Sequence, residues 1–195
     1  MTAKEIYEKL VLPQVDSASW HQWGHFVVAL NEAQTLMAAL TGCLYDVAES
    51  VIIPEGTFVF QVLGVAPLFR RLRRAFTASG QLVVVNQQVI GAGGILERGT
   101  PRRIAQVGSS SLLLDPVPDS AFTLTIEYER FPRLVNAESD EPEIPRAYHA
   151  SLDGYIVPRM MLLEGGNELA RTAPGLKKFM KAAEQLRQEV LKRGR

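Results

Sequence analysis

The stretch EYERFPRLVNAESDEPEIPRAYHASLDGYIVPRMMLL, residues 127–163, holds a change of structural type. It begins at the end of an alternating run, Phe122 to Arg130. In that run Phe122, Leu124, Ile126 and Tyr128 point one way, and Thr123, Thr125, Glu127 and Glu129 the other. Such alternation marks a strand with one wet face. Phe131-Pro132 ends it. An acidic, proline-punctuated linker follows. From Pro145 the apolar residues Tyr148, Leu152, Tyr155, Ile156 and Leu163 fall at helical spacing. Proline is tolerated in a first helical turn, so a helix is expected to begin at Pro145. Pro158, four residues after Gly154, is expected to kink it, and Gly165-Gly166 to stop it.

Upstream of this hinge the chain has β texture. Residues 50–53 and 57–63 flank the turn Pro54-Glu55-Gly56. Residues 81–86, 102–107, 111–114 and 121–130 read as further strands. Residues 67–76 are ambiguous. Leu68, Leu72, Ala75 and Phe76 sit at helical spacing with Arg70, Arg71, Arg73 and Arg74 between them. The local pattern slightly favours a helix. Gly91-Ala92-Gly93-Gly94 is read as a loop or hairpin tip.

Both chain ends read as helix. Thr2 and Glu5 have the spacing of a capping box for a short first helix that Pro13 ends or bends. Ser17 or Ser19 is placed to cap a second helix with the stripe Trp23, Val27, Leu30, Ala33, Met37, Leu40, Leu44, and Gly42 loosens its end. Pro174-Gly175 is expected to break the C-terminal region. The last helix beyond it carries Leu176, Phe179, Met180, Ala183, Leu186 and Val190 on one side and lysines on the other. The expected fold is therefore α+β: a helical bundle formed by both chain ends, residues 1–45 plus 143–195, with a small antiparallel β-sandwich or barrel-like domain, residues 46–142, inserted into it.

The composition, 47% hydrophobic and 22% charged, is that of a globular protein. No apolar run approaches the ~18 residues that suggest a membrane span, and residues 1–5, MTAKE, lack the apolar core of a signal peptide. The single cysteine, Cys43, has no internal disulfide partner; it fits a reducing compartment and a place in the core. Net charge is zero, yet the charges lie in blocks. Seven basic residues and one acid fall between Arg70 and Arg103. Eight acids and two basic residues fall between Asp115 and Glu143, and eight basic residues and two acids between Arg171 and Arg195. A basic face of one copy meeting an acidic face of the next is a heterologous contact, which closes into a ring when the rotation allows it. The same blocks are also read as ordinary solvated faces.

No catalytic set stands out. His21 and His25 share a helix face at the spacing of two metal ligands, with Glu32 near it. However, position 22 is Gln where the helical zinc-protease motif has Glu, and spacing marks no third ligand. His149 has no acid at useful spacing and is read as a packing or capping residue. Ser109-Ser110-Ser111 is a turn, and Gly91-Ala92-Gly93-Gly94 lacks the lysine and the helix of a phosphate loop. Glu138, Asp140, Glu141 and Glu143 lack the alternating ligands and glycine of a calcium loop, and are read as a solvated linker. Arg159 is expected to snorkel along its helix, the alternative being a carboxylate partner. We assign no cofactor and no metal.

Residues 128–163 resemble the head-to-tail adaptor (connector) proteins of tailed bacteriophages. The likeness is carried by a strand ending near a proline, an acidic loop, and the helix opening Ile-Pro-x-x-Tyr-His-x-x-Leu-x-x-Tyr, here Ile144, Pro145, Tyr148, His149, Leu152 and Tyr155. Gly99-Thr100-Pro101-Arg102, Leu114-Asp115-Pro116-Val117-Pro118 and the helix around 23–44 extend it. The resemblance favours a strand over residues 67–76, leading into the turn Ala78-Ser79-Gly80, and we assign it so. The motif residues are structural. Gly154, Pro158 and the glycine-rich loop depart from the family pattern.

The resemblance implies a virion protein without an active site, located at the head–tail interface and in the host cytoplasm during assembly. It implies a ring, commonly of about twelve copies, that joins the portal to tail or nozzle proteins. Packaged DNA passes through its channel without sequence recognition, and no membrane is involved. On the family analogy the C-terminal segment docks on the portal, which points to Lys177, Lys178, Lys181, Arg187, Lys192 and Arg193. The charge blocks point to Arg70, Arg71, Arg73 and Arg74 against Glu138, Asp140, Glu141 and Glu143 as contacts between copies, or to the acidic linker lining the channel. The competing readings are a nucleic-acid-binding accessory protein, a tail completion or stopper protein, and a small hydrolase using His21, His25 or His149.

Overall fold

A computed structural model of the chain describes residues 1–15, 23–90, 97–163 and 169–193. The fold is α+β. It divides into two compact units, Met1–Leu44 with Pro132–Arg195, and Tyr45–Phe131.

The first unit is helical. Helix α1, Ala3–Ile6, starts at the expected capping box: the Glu5 amide donates to the Thr2 hydroxyl at 3.2 Å, and the Thr2 amide to the Glu5 carboxylate at 3.0 Å. The chain continues through a π-type turn, Tyr7–Val11, and a 3₁₀ turn, Leu12–Gln14, that holds Pro13. Helix α2, Trp23–Thr41, buries Phe26, Ala29, Leu30, Ala33, Met37 and Ala38, while Leu40 of the expected stripe is exposed. Gly42, at φ +63°, ends the helix with its amide bonded to the Ala38 carbonyl at 2.9 Å, a left-handed cap. The proposed serine caps lie outside the described residues, as do Gly91–Gly94 and Gly165-Gly166.

The helix expected at Pro145 begins differently. Residues Arg146–Ser151 form a 3₁₀ helix, and helix α3 spans Asp153–Leu163. The reason lies in the hydrogen bonds. The Tyr148 amide bonds to Pro145 O at 2.8 Å, the Leu152 amide to His149 O at 3.2 Å, and the Ser151 hydroxyl to Tyr148 O at 2.6 Å, all with i→i+3 spacing. Helix α3 runs through Pro158. Helix α4, Leu169–Arg193, runs through Pro174-Gly175, so the expected break is absent. An interior proline costs a helix about 3 kcal/mol. Tertiary packing offsets this: Phe179, Ala182, Ala183 and Leu186 bury the inner face of α4, and Gly175 lies against Gly154 of α3.

The second unit is a seven-stranded sheet among the described residues, in the order β1-β7-β3-β4-β5-β6-β2. The strands are β1 Tyr45–Ile53, β2 Val59–Gln61, β3 Phe69–Thr77, β4 Gly80–Val84, β5 Arg103–Val107, β6 Ser111–Asp115 and β7 Phe122–Arg130. The β4–β5 pair is parallel, which corrects the expected purely antiparallel sheet; the sheet is mixed. On β7, Leu124, Ile126 and Tyr128 are buried, the face that alternation marked.

Residues 67–76 contain strand β3, as assigned. The helical spacing of their apolar residues has a physical source. Against β7 the register slips between Phe69 and Arg71 and again between Leu72 and Arg74, so Arg70 and Arg73 are bulged. Two bulges turn a period of two into a period of three, and Phe69, Leu72 and Ala75 are the buried residues. Gln106 of β5 satisfies the disrupted ladder. It accepts from the Leu72 amide at 2.9 Å and donates to the Arg70 carbonyl at 2.9 Å.

Candidate functional site

The motif segment packs within the helical unit. Ile144, Tyr148, His149 and Leu152 are buried, Tyr155 is half-buried, and Pro145 precedes the 3₁₀ helix as its N-cap. His149 is fully buried. One ring nitrogen lies 2.6 Å from the Ile144 carbonyl and the other 3.1 Å from the Met1 amino nitrogen. Burial holds its pKa below the ordinary histidine value, so the ring is a neutral packing and capping group. The Tyr148 hydroxyl donates to Glu189 of α4 at 2.6 Å, a bond that together with burial raises the pKa of the phenol. Tyr155 packs against Phe179 with ring centroids 5.6 Å apart and planes tilted by 45°. The motif thus clasps α4.

The acidic segment is no free linker. The Ala3 amide bonds to Asp140 O at 2.8 Å and the Lys4 amide to Glu138 O at 3.1 Å. Asn31 of α2 makes two bonds to the backbone of Val135, at 2.8 and 2.9 Å, and buried Gln34 donates to Arg133 O at 2.9 Å. Asp140 accepts from the amides of Asn136 and Ala137, which lowers its pKa. Glu138 pairs with Lys4 at 2.9 Å. Glu141 pairs with Arg146 at 2.5 Å and its pKa is held down by that bond. Glu143 accepts from the Arg133 amide at 2.8 Å. All four acids therefore have partners in their own chain.

The arginine block divides. Arg70 pairs with Glu129 at 2.5 Å and Arg74 with Glu127 at 2.7 Å, both across to β7. The Arg73 guanidinium lies 5.8 Å from the centre of the Tyr45 ring, and Arg71 is exposed. Arg159 does not snorkel. It grips Glu32 of α2 through two bonds, at 2.7 and 3.1 Å, and the pKa of Glu32 falls chiefly through that contact. Glu32 is thereby taken from the suggested metal set. His25 is exposed, and His21 lies outside the described residues. Among the described residues no group of three or more His, Cys, Asp or Glu side chains could hold a metal ion.

Helix α4 presents the largest run of cations. Lys177, Lys178, Lys181, Arg187, Lys192 and Arg193 are all exposed. Two of them have acidic partners: Arg193 lies 3.9 Å from Glu189, and Lys178 reaches Asp153 at 2.9 Å. Among the described residues Lys177, Lys181, Arg187 and Lys192 make no ion pair.

Asp153 escaped the reading of the sequence, as did Gln34 and Gln106. Each is a polar residue next to apolar ones on its own element, and that was the signal available. A buried polar group must find a partner. Nothing local says which.

The family model described as SU10 adaptor protein matches residues 1–194. No curated protein matches the chain.

Proposed function

The chain belongs to the SU10 adaptor protein family, a family of structural phage adaptors and not an enzyme class, and we propose that it forms a ring joining the portal to the tail. On the family analogy the ring holds about twelve copies, extends the DNA channel and passes DNA without reading its sequence. We read the two compact units as a bundle built from both chain ends and a β domain inserted between them. The whole-chain family match is the observation that carries this reading.

The docking face we assign to α4. Lys177, Lys181, Arg187 and Lys192 are exposed and unpaired among the described residues, and fit an acidic surface on the portal. For contacts between copies the exposed Arg71 is the better candidate. Arg70, Arg74, Glu138, Asp140, Glu141 and Glu143 enter such a contact only by giving up, or sharing, partners in their own chain.

Sedimentation of the chain, alone and mixed with the portal protein of the same genome, tests the reading. A discrete large complex is expected, and K177E/K181E is expected to weaken it. A chain that stays monomeric beside its portal overturns the adaptor reading in favour of a tail completion or stopper protein. The open cations of α4 also fit phosphate, which keeps a nucleic-acid-binding accessory role as the second reading. That role requires duplex binding that falls steeply with salt, and no binding at ~50 mM salt removes it.

A further inference from the structure

We infer that Asp153 and Lys178 form a pin that sets the angle at which α4 lies on α3, and so aims the cationic face of α4. The inference rests on the docking reading above. Its starting point is the crossing of the two helices. A Cβ placed on Gly154 would overlap the Gly175 carbonyl oxygen and lie 3.2 Å from the Phe179 amide nitrogen. One placed on Gly175 would lie 3.0 Å from the Gly154 carbonyl oxygen and 3.5 Å from the Pro158 ring. The helices therefore touch backbone to backbone.

Such a contact fixes the distance between two helices but not their angle. Crossing angles are set by side chains interlocking as ridges and grooves, and at the contact itself neither Gly154 nor Gly175 has one to interlock; the nearest are the Pro158 ring and, to one side, the Tyr155–Phe179 pair. A cleft of about 290 Å³ opens beside the crossing, walled by Val157, Pro158, Met161 and Pro174. The side of the crossing that carries the cleft is thus not filled by packing.

Asp153 and Lys178 span that same place. Asp153 is the residue before Gly154, and Lys178 comes one turn after Gly175. The lysine ammonium donates to both carboxylate oxygens, at 2.9 Å each, and Gln14 donates to one of them at 3.2 Å. The pair is asymmetric: the Asp153 side chain is 9% exposed and that of Lys178 55%. A carboxylate buried this far needs hydrogen-bond partners, and Lys178 reaches both of its oxygens, so α4 is held in the orientation that brings Lys178 to it. Lys177 precedes Lys178, and Lys181 lies one turn further on. Fixing the rotation of Lys178 therefore fixes theirs. On this account Lys178 is a positioning residue and does not itself touch the portal.

The test uses the full chain and its portal, with two readouts: amide hydrogen exchange along α4 in the free chain, and co-sedimentation with the portal. Asp153→Asn and Lys178→Met are each expected to speed exchange around the crossing by about tenfold and to weaken attachment. The double variant should be no worse than Lys178→Met alone, because both remove one interaction. Lys178→Arg keeps the pair and should keep both readouts. Lys177→Met should weaken attachment without changing exchange. If Lys178→Met weakens attachment while Asp153→Asn changes neither readout, Lys178 is a direct contact and the pin is overturned. If both variants speed exchange yet attachment holds, while K177E/K181E loses it, the pair is merely structural and the positioning role falls. If K177E/K181E attaches normally, the docking reading fails, and the exchange arm alone then decides whether the pair holds α4.

Discussion

Strand β3 and helix α4 are mirror cases. Strand β3 carries apolar residues at helical spacing and is a strand. Helix α4 carries a proline-glycine pair that marks a break and is a continuous helix. In both, a remote partner overrides the local pattern by a contact to backbone. Gln106 satisfies the bulged main chain of β3, and Gly154 receives the main chain of α4. Local periodicity reports which side chains share a face. It does not report where the backbone finds its partner.

The parallel between the two elements is most exposed to Gly154→Ala. Helix propensity alone favours alanine by about 1 kcal/mol. The added methyl would meet the Gly175 carbonyl, and overpacking of this kind costs about 1–3 kcal/mol. Because the clash is with backbone, the upper end of that range applies, and after the propensity gain a net loss of about 2 kcal/mol in urea unfolding is expected; a gain would show that the crossing is loose. Gln106→Ala is the matching test on β3. It strands the Leu72 amide and the Arg70 carbonyl, at about 1–2 kcal/mol. An unchanged unfolding midpoint would mean that the bulges hold without it.

The Glu32–Arg159 pair sets a side-chain contact beside these backbone contacts, and smaller effects are expected. The pair is about a third exposed on both sides, so screening leaves it about 0.5–1 kcal/mol. The folded pKa of Glu32 lies below its ordinary value of 4.5. The unfolded chain therefore binds the proton more readily, so the stabilisation is present above pH 4.5 and is lost as pH falls through the lower, folded value. Acid titration of stability should show a shallower loss in Glu32→Gln than in the parent chain. Gly175→Ala should do least. Its methyl meets the Gly154 carbonyl oxygen at 3.0 Å, a tight contact that the gain in helix propensity of about 1 kcal/mol roughly offsets. A loss as large as that of Gly154→Ala would mean that the two sides of the crossing are equally tight.

Much of the fold was legible. The capping box of Thr2 and Glu5 and the wet and dry faces of β7 follow from residue chemistry and from a period of two, while strand β3 and the turn after it were legible only through the family resemblance. The family was legible at Ile144, Pro145, Tyr148, His149, Leu152 and Tyr155, of which all but the exposed Pro145 are buried or half-buried. The site was less so. The charge blocks were visible, but the pairing of their members was not. Arg70 and Glu129 are far apart in sequence, and Lys178 meets an aspartate in another helix. Such pairs leave no periodic trace. Arg159 looked like a snorkelling residue for the same reason: its partner Glu32 lies in α2.

Residue pattern was enough to settle the class of most segments and their order, because burial of one face imposes a period on nearby residues. It was enough, too, to say which residues carry charge on α4. Three features came only with the packed chain: α4 runs through Pro174-Gly175, β4 and β5 pair in parallel, and most of the acids and half of the β3 arginines are already partnered. Each of these depends on groups distant along the chain, whose approach is set by packing and not by any local spacing.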